Sequence, residues 1–173
     1  MLIYRHVGRV GRRLRRPILT LGNFDGVHRG HQAILRRVVD TAHAVDGTAV
    51  ALTFHPHPSA VLTPGCAPEL ITDWRARMAR LAGAGIDATI TQRFTRAFSE
   101  IDPVVFVERL LVDGLGVCGI VVGHRVSFGH RRAGGAETLR ELGSKHGFTV
   151  EVVGPVEVDG AEVASDPLAF CDN

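Results

Sequence analysis

Short apolar runs alternate with amphipathic stretches along most of the chain. Ile18–Leu21 reads as a buried strand, and Gly30–His43 as a helix with Ile34, Leu35, Val38 and Val39 on one side. Thr48–Phe54, entered through Asp46-Gly47, is the next strand. Thr72 is the expected N-cap of a helix that carries Trp74, Met78 and Leu81 and stops near Gly83 and Gly85. Ala88–Thr91 follows as a strand. Asp102-Pro103 then sets a cap with proline at the first helical position, and Val104, Val107, Leu110 and Leu111 are expected to face inward. Gly119–Val122 is a strongly apolar strand, followed by a glycine-rich stretch from Gly123 to Gly135. A helix over Glu137–His146 and a strand over Phe148–Val153 complete the alternation. Asp159-Gly160, between Val156–Val158 and Ala161–Val163, predicts a late hairpin.

Repeated strand–helix–strand spacing implies parallel strands with right-handed crossovers, hence a doubly wound α/β sheet. Such sheets bind ligands at the carboxyl ends of their strands. Polar and glycine-rich clusters follow Leu21, Phe54 and Val122, so three strands deliver unusual residues to one edge.

The chain has 173 residues, enough for one domain with a real core, expected over 17–173. Arg5, Arg9, Arg12, Arg13, Arg15 and Arg16 crowd the start, and residues 1–16 are expected as a solvated basic arm. No apolar segment follows them that would make a secretory signal, and no stretch approaches the length of a membrane span. A net charge of +2 gives no argument for nucleic-acid binding. Cys66, Cys118 and Cys171 are odd in number and far apart, which points to reduced cysteines and a cytoplasmic protein. The only lysine is Lys145, which disfavours chemistry that needs a lysine in a phosphate loop. Neither a P-loop nor a tight dinucleotide-binding glycine motif occurs. The oligomeric state is left open.

Candidate chemistry starts at Gly22-Asn23-Phe24-Asp25-Gly26-Val27-His28-Arg29-Gly30-His31. Backbone N–H groups and two imidazoles there meet a helix N-terminus, where an anion is favoured. Gly30 lets a phosphate approach the backbone closely, and the imidazoles can donate to phosphoryl oxygens. The pair taken alone also suits an N-capping histidine or a metal site. In Phe54-His55-Pro56-His57-Pro58 the prolines hold the segment extended, which is expected to present His57 rather than bury it. In the third cluster Phe128 could stack on an aromatic ring, while Arg125, Arg131 and Arg132 could hold phosphate.

These segments, in this order, resemble the adenylyltransferase module of bacterial bifunctional FAD synthetases, in the His-x-Gly-His nucleotidylyltransferase superfamily. The likeness runs from Gly22–His31 through Phe54–Pro58 to Val121–Gly129 and Gly134, spanning about residues 17–164. It implies a Rossmann-like nucleotidylyltransferase fold and transfer of AMP from ATP to FMN, with Mg²⁺, giving FAD and pyrophosphate. By the resemblance, His28 and His31 are catalytic. Gly22, Asn23, Phe24, Asp25, Gly26 and Gly30 form the nucleotide loop, helped by His57, Gly123 and Ser165; Arg125, where the family pattern has no arginine, is a nucleotide-binding candidate on its charge alone. Phe54, Phe128 and Arg131 face the acceptor, and no residue is assigned to a metal.

Three departures accompany the likeness. After Gly123 the family places an acidic residue, then Asp or Asn, then Phe; here stand His124, Arg125 and Val126. Its Ile-Ser-Ser-Thr-x-Ile-Arg motif corresponds to Val163-Ala164-Ser165-Asp166-Pro167-Leu168, which lacks the arginine. No riboflavin kinase segment follows, so a single activity is expected. A non-flavin acceptor and a catalytically degenerate flavin- or nucleotide-binding protein stay open as alternatives.

Overall fold

The structure, a computed structural model, describes residues 1–66, 70–155, 157–158 and 161–162. Six parallel strands form one sheet: β1 (Leu2–Arg5), β2 (Pro17–Leu21), β3 (Thr48–His55), β4 (Ala88–Arg93), β5 (Gly119–Gly123) and β6 (Thr149–Val153), in the order β1-β4-β3-β2-β5-β6. Helices α1 (Arg29–Ala44), α2 (Pro58–Leu62), α3 (Trp74–Gly83) and α4 (Arg96–Ser99) come next in chain order. Then follow α5, starting at Pro103–Val105 and continuing as a π-helix over Phe106–Leu115, and α6 (Ala136–His146). Glu157–Val158 and Ala161–Glu162 (β7 and β8) pair antiparallel as the hairpin reading expected; its turn residues, Asp159 and Gly160, lie outside the described residues. No described helix is long and apolar enough to cross a membrane.

Strand alternation divides the core between the two faces. Ala49 and Ala51 of β3 and Val121 of β5 turn to one side, where Leu35, Val38, Met78 and Leu81 from α1 and α3 cover them. Val50 and Leu52, with Ile120 and Val122, turn to the other side, against Val107, Leu111 and Leu139 from α5 and α6. Strand order reverses between β2 and β5, so the loops that leave these two neighbours flank a crevice at the sheet's carboxyl edge.

Two expectations fail for physical reasons. The basic arm is not solvated along its length: Leu2–Arg5 pairs with β4, and Val7, Val10 and Leu14 are buried in the core. Their helical spacing sinks one side of two 3₁₀ turns, while the six arginines between and around them stay exposed. In α5, Val104 is exposed rather than inward. The π-helix has a wider turn than 3.6 residues, so Val107, Leu111 and Leu115, four apart, form the buried stripe.

The loop after β5 is anchored by Phe128 and Gly134, which exchange backbone hydrogen bonds of 2.9 and 3.0 Å. A Cβ on Gly134 would sit 2.6 Å from the Pro103 Cβ and 2.7 Å from the Phe128 ring. Gly134→Ala is therefore expected to destabilise the protein by about 1–3 kcal/mol, because the clash is with packed core atoms. Urea unfolding measures it, and an unchanged midpoint would refute the packing argument.

Candidate active site

The loop from Gly22 to His28 continues β2 for one residue, since the Gly22 N–H bonds the Leu52 carbonyl at 3.1 Å. It then turns sharply: Phe24, Gly26 and Val27 all have left-handed φ, at 51°, 73° and 42°. That conformation costs a residue with a side chain roughly 1 kcal/mol or more, so the fold must hold it from outside. Burial does part of this, because Phe24 and Val27 are 1% and 4% exposed in the α1/α3 core.

Hydrogen bonds from distant residues do the rest. The Asp25 carboxylate accepts from the N–H groups of Ile71 and Thr72 and from the Thr72 hydroxyl, each at 2.9 Å. Thr72 Oγ1 in turn accepts from the Gly26 N–H at 3.2 Å. Arg77 donates to the Asn23 carbonyl at 2.9 Å, Thr53 to the same carbonyl at 3.2 Å, and Arg80 to the Gly26 carbonyl at 2.8 Å. Burial pushes the Asp25 carboxyl up, but these donors and the Arg77 charge hold it below the ordinary carboxylate range. Thr72 is thus the latch for Asp25 rather than the N-cap of α3. Asp73 takes that role by accepting from the Ala76 N–H at 2.7 Å.

Two imidazoles stand at the start of α1. His28 is its N-cap, with Nδ1 accepting from the Gly30 N–H at 3.2 Å. An accepting Nδ1 leaves the proton of a neutral ring on Nε2. That Nε2 is shielded from water and has no hydrogen-bond partner among the described residues. The His28 and His31 rings stack with centroids 3.9 Å apart, and Phe24 backs His31 at 5.3 Å. Burial, then the His28 charge, pull the His31 pKa down to about 3 against an opposing effect of Asp25. Burial lowers His28 as well. Both rings are therefore neutral at pH 7.

His57 is buried, at 6% exposure, not presented as expected. The segment after Pro56 turns into α2 instead of staying extended. His57 caps that helix, its Nδ1 lying 2.5 Å from Ser59 Oγ and accepting from the Ser59 N–H.

Most of the candidate residues border one cavity of about 1110 Å³ at the sheet's carboxyl edge, while Thr72, Arg77 and Arg80 stay behind its wall. Gly22, Asn23, Asp25, His28, Gly30 and His31 line its α1 side, with Phe24 on the wall although nearly buried. Gly26 is the exception among the loop candidates: its N–H and carbonyl are turned to Thr72 and Arg80. Gly123 enters from the end of β5, Arg125 and Arg131 from the loop after it, and His57 from beyond β3. Ser165 lies outside the described residues.

The opposite wall is aromatic. Phe54, Phe94 and Phe98 pack mutually at 5.7–6.0 Å, and the series runs on through Phe106 to Phe128. Sequence reasoning named only Phe54 and Phe128. It missed Phe94 and Phe98, whose four-residue spacing just after a strand was the available signal, and Arg96 beside them. It also missed Arg77 and Arg80. No group of three or more metal-ligating side chains occurs among the described residues.

Residues 12–167 match the family model described as FAD synthetase. The chain belongs to the FAD synthetase family. It is 41% identical over 149 residues to the bifunctional riboflavin kinase/FMN adenylyltransferase of Pseudomonas fluorescens, covering 86% of this chain and 47% of that protein. The protein of the same name from Escherichia coli (strain K12) is 34% identical over 133 residues, with 77% and 42% covered. The chain thus spans about half the length of the curated relatives it matches. A solved structure named as a macrolide-efflux protein from Streptococcus pneumoniae superposes with a TM-score of 0.80 at 23% identity, covering 95% of this chain and 55% of that one. Pantothenate synthetase from Thermus thermophilus gives 0.55 at 16% identity, covering 95% and 66%. These two likenesses establish the fold alone: the doubly wound, Rossmann-like α/β sheet that the strand–helix alternation implied.

Proposed function

We propose that this chain is a cytoplasmic, ATP-dependent adenylyltransferase that moves AMP from ATP to the phosphate of FMN and releases pyrophosphate. The observation that carries the reading is one cavity walled on one side by the polar loop and stacked imidazoles, and on the other by phenylalanines. A triphosphate suits the first wall and a flat apolar ring system the second. The FMN adenylyltransferase named in the relatives supports this pairing of substrates.

ATP phosphates rest against residues 22–28 and the N-terminus of α1, where backbone N–H groups and the helix dipole favour anions. The isoalloxazine ring packs on Phe54 and Phe128. An oxygen of the FMN phosphate attacks the α-phosphorus, and the new P–O bond forms as the bond to the bridging oxygen breaks. The electron pair leaves on pyrophosphate. The attacking phosphate is already ionised near neutral pH, so no side chain has to remove a proton. The protein supplies alignment and charge stabilisation, with His28 and His31 on the cavity wall as donors to phosphoryl oxygens; the His28 Nε2–H, closed to water here, reaches them once binding of the triphosphate shifts the wall around it. Arg125 and Arg131 add positive charge on the nucleotide and acceptor sides. Mg²⁺ would come with ATP and would neutralise triphosphate charge; the carboxylates lining the cavity among the described residues are Glu100 and Asp25, which already accepts three hydrogen bonds.

One stretch favours a second reading. Residues 163–168 carry no arginine, which suits a protein that binds nucleotide or flavin without turnover, or one with a non-flavin acceptor. Purified protein incubated with ATP, Mg²⁺ and a panel of phosphorylated acceptors separates these outcomes by chromatography. FAD and pyrophosphate in equal amounts are expected from FMN. A different adenylylated product would replace FMN as acceptor, and ATP binding without pyrophosphate release would overturn the enzymatic reading.

A further inference from the structure

We propose that Arg77, which lies behind the nucleotide loop and off the cavity wall, is a positioning residue for nucleotide binding. The inference rests on the reading that residues 22–28 hold ATP phosphates.

Arg77 is 2% exposed, the largest fully buried side chain among the described residues. A guanidinium is seldom buried unless paired, since its desolvation costs several kcal/mol. Here it is not fully satisfied: one terminal nitrogen donates to the Asn23 carbonyl at 2.9 Å, while the buried Nε has no partner. Stability alone would be better served by an apolar side chain of similar volume in this α3 position, between Met78 and the loop.

Two features of the loop give the charge a use. The Asn23 carbonyl is drawn toward Arg77 and Thr53, away from where phosphate oxygens would meet its negative end. Asp25, the one carboxylate in the loop, is close enough to interact electrostatically with Arg77. A fixed cation behind the loop offsets that carboxylate in a medium where charges are poorly screened. Arg77 thus acts on the nucleotide through Asn23 and Asp25. Arg80, which is exposed, only ties down the Gly26 carbonyl.

The test compares Arg77→Lys with Arg77→Gln. Lysine keeps a charge and a donor for the Asn23 carbonyl; glutamine keeps a donor without the charge. Calorimetry with a non-hydrolysable ATP analogue and Mg²⁺ is expected to show about tenfold weaker binding for Arg77→Gln and binding within about threefold of wild type for Arg77→Lys. FMN affinity, read from fluorescence quenching, is expected to change less than about twofold in both, a split that general loss of structure would not produce.

Thr53→Val, which removes the other donor to the Asn23 carbonyl, should weaken the ATP analogue and spare FMN; it carries the test if Arg77→Gln does not fold. Wild-type nucleotide affinity in Arg77→Gln, or equal losses for both ligands, would overturn the proposal. So would an unfolded Arg77→Gln with unchanged nucleotide binding in Thr53→Val. A wild-type protein that binds no ATP analogue would instead refute the underlying reading of the loop.

Discussion

His28→Ala and His31→Ala are each expected to lower the rate of pyrophosphate release from ATP and FMN by about 10²–10³. That is the scale for removing one donor that stabilises developing phosphoryl charge. The expectation rests on neutral rings. An imidazolium would attract phosphates in the ground state and the transition state alike, whereas a fixed neutral N–H gains most as charge builds on the oxygens. His28 is held in the donating tautomer by its own cap, because Nδ1 is occupied by the Gly30 N–H.

The rings also stack at 3.9 Å, so each keeps its neighbour in place, and the double variant should lose less than the product of the single losses. His28→Ala also removes a helix cap, worth about 1 kcal/mol, so stability is measured beside the rate. His28→Gln, which can place an amide N–H near the Nε2 position, should recover part of the rate. Equal pyrophosphate release by wild type, His28→Ala and His31→Ala would remove these residues from the mechanism.

Acid should destabilise the fold well before its carboxylates protonate. His31 titrates near 3 in the folded protein and near 6.5 when unfolded. Between those values the unfolded state binds the extra proton, so stability rises with pH and falls on acidification. The loss approaches about 1.4 kcal/mol per pH unit for His31 alone midway between these values, or about 2.5 kcal/mol from pH 6 to pH 4. Burial lowers His28 and His57 in the same sense, which adds to the slope. Asp25 works in a separate window: its folded pKa lies below the ordinary value of 3.8, so its contribution is present above that value and fades only at lower pH. Urea midpoints for wild type and His31→Gln from pH 7 to pH 4 measure the effect. Parallel curves for the two proteins would mean that the His31 ring is not buried as described.

Much of the architecture could be read locally. Apolar runs marked β2, β3, β4, β5 and β6 to within a residue or two, and Asp102-Pro103 marked the start of α5, because strand period and capping chemistry are written within a few positions. The Gly22–His31 segment pointed to its site for the same reason: a turn, a cap and two imidazoles adjoin in sequence. The errors arose where charge or propensity was weighed without its tertiary partner. Arginines suggested a solvated arm, but Val7, Val10 and Leu14 had a core to enter. Prolines suggested an extended His57, but Ser59 offered it a buried hydrogen bond. The aromatic wall went largely unseen because Phe54, Phe94, Phe106 and Phe128 come from segments that meet only when the sheet forms.

The order of residues along the chain was enough to establish a doubly wound α/β sheet and the family, and to single out the loop after β2 as the candidate site. Each depends on patterns closed within a few residues or on short motifs in fixed order. Only the folded protein decided how that loop is held and how its histidines are charged. The Asp25–Thr72 and Arg77–Asn23 bonds join residues 47 and 54 positions apart, and the neutrality of His31 comes from burial, a property of packing. Side-chain identity chose the chemistry available to the site; three-dimensional proximity set the strength of each charge within it.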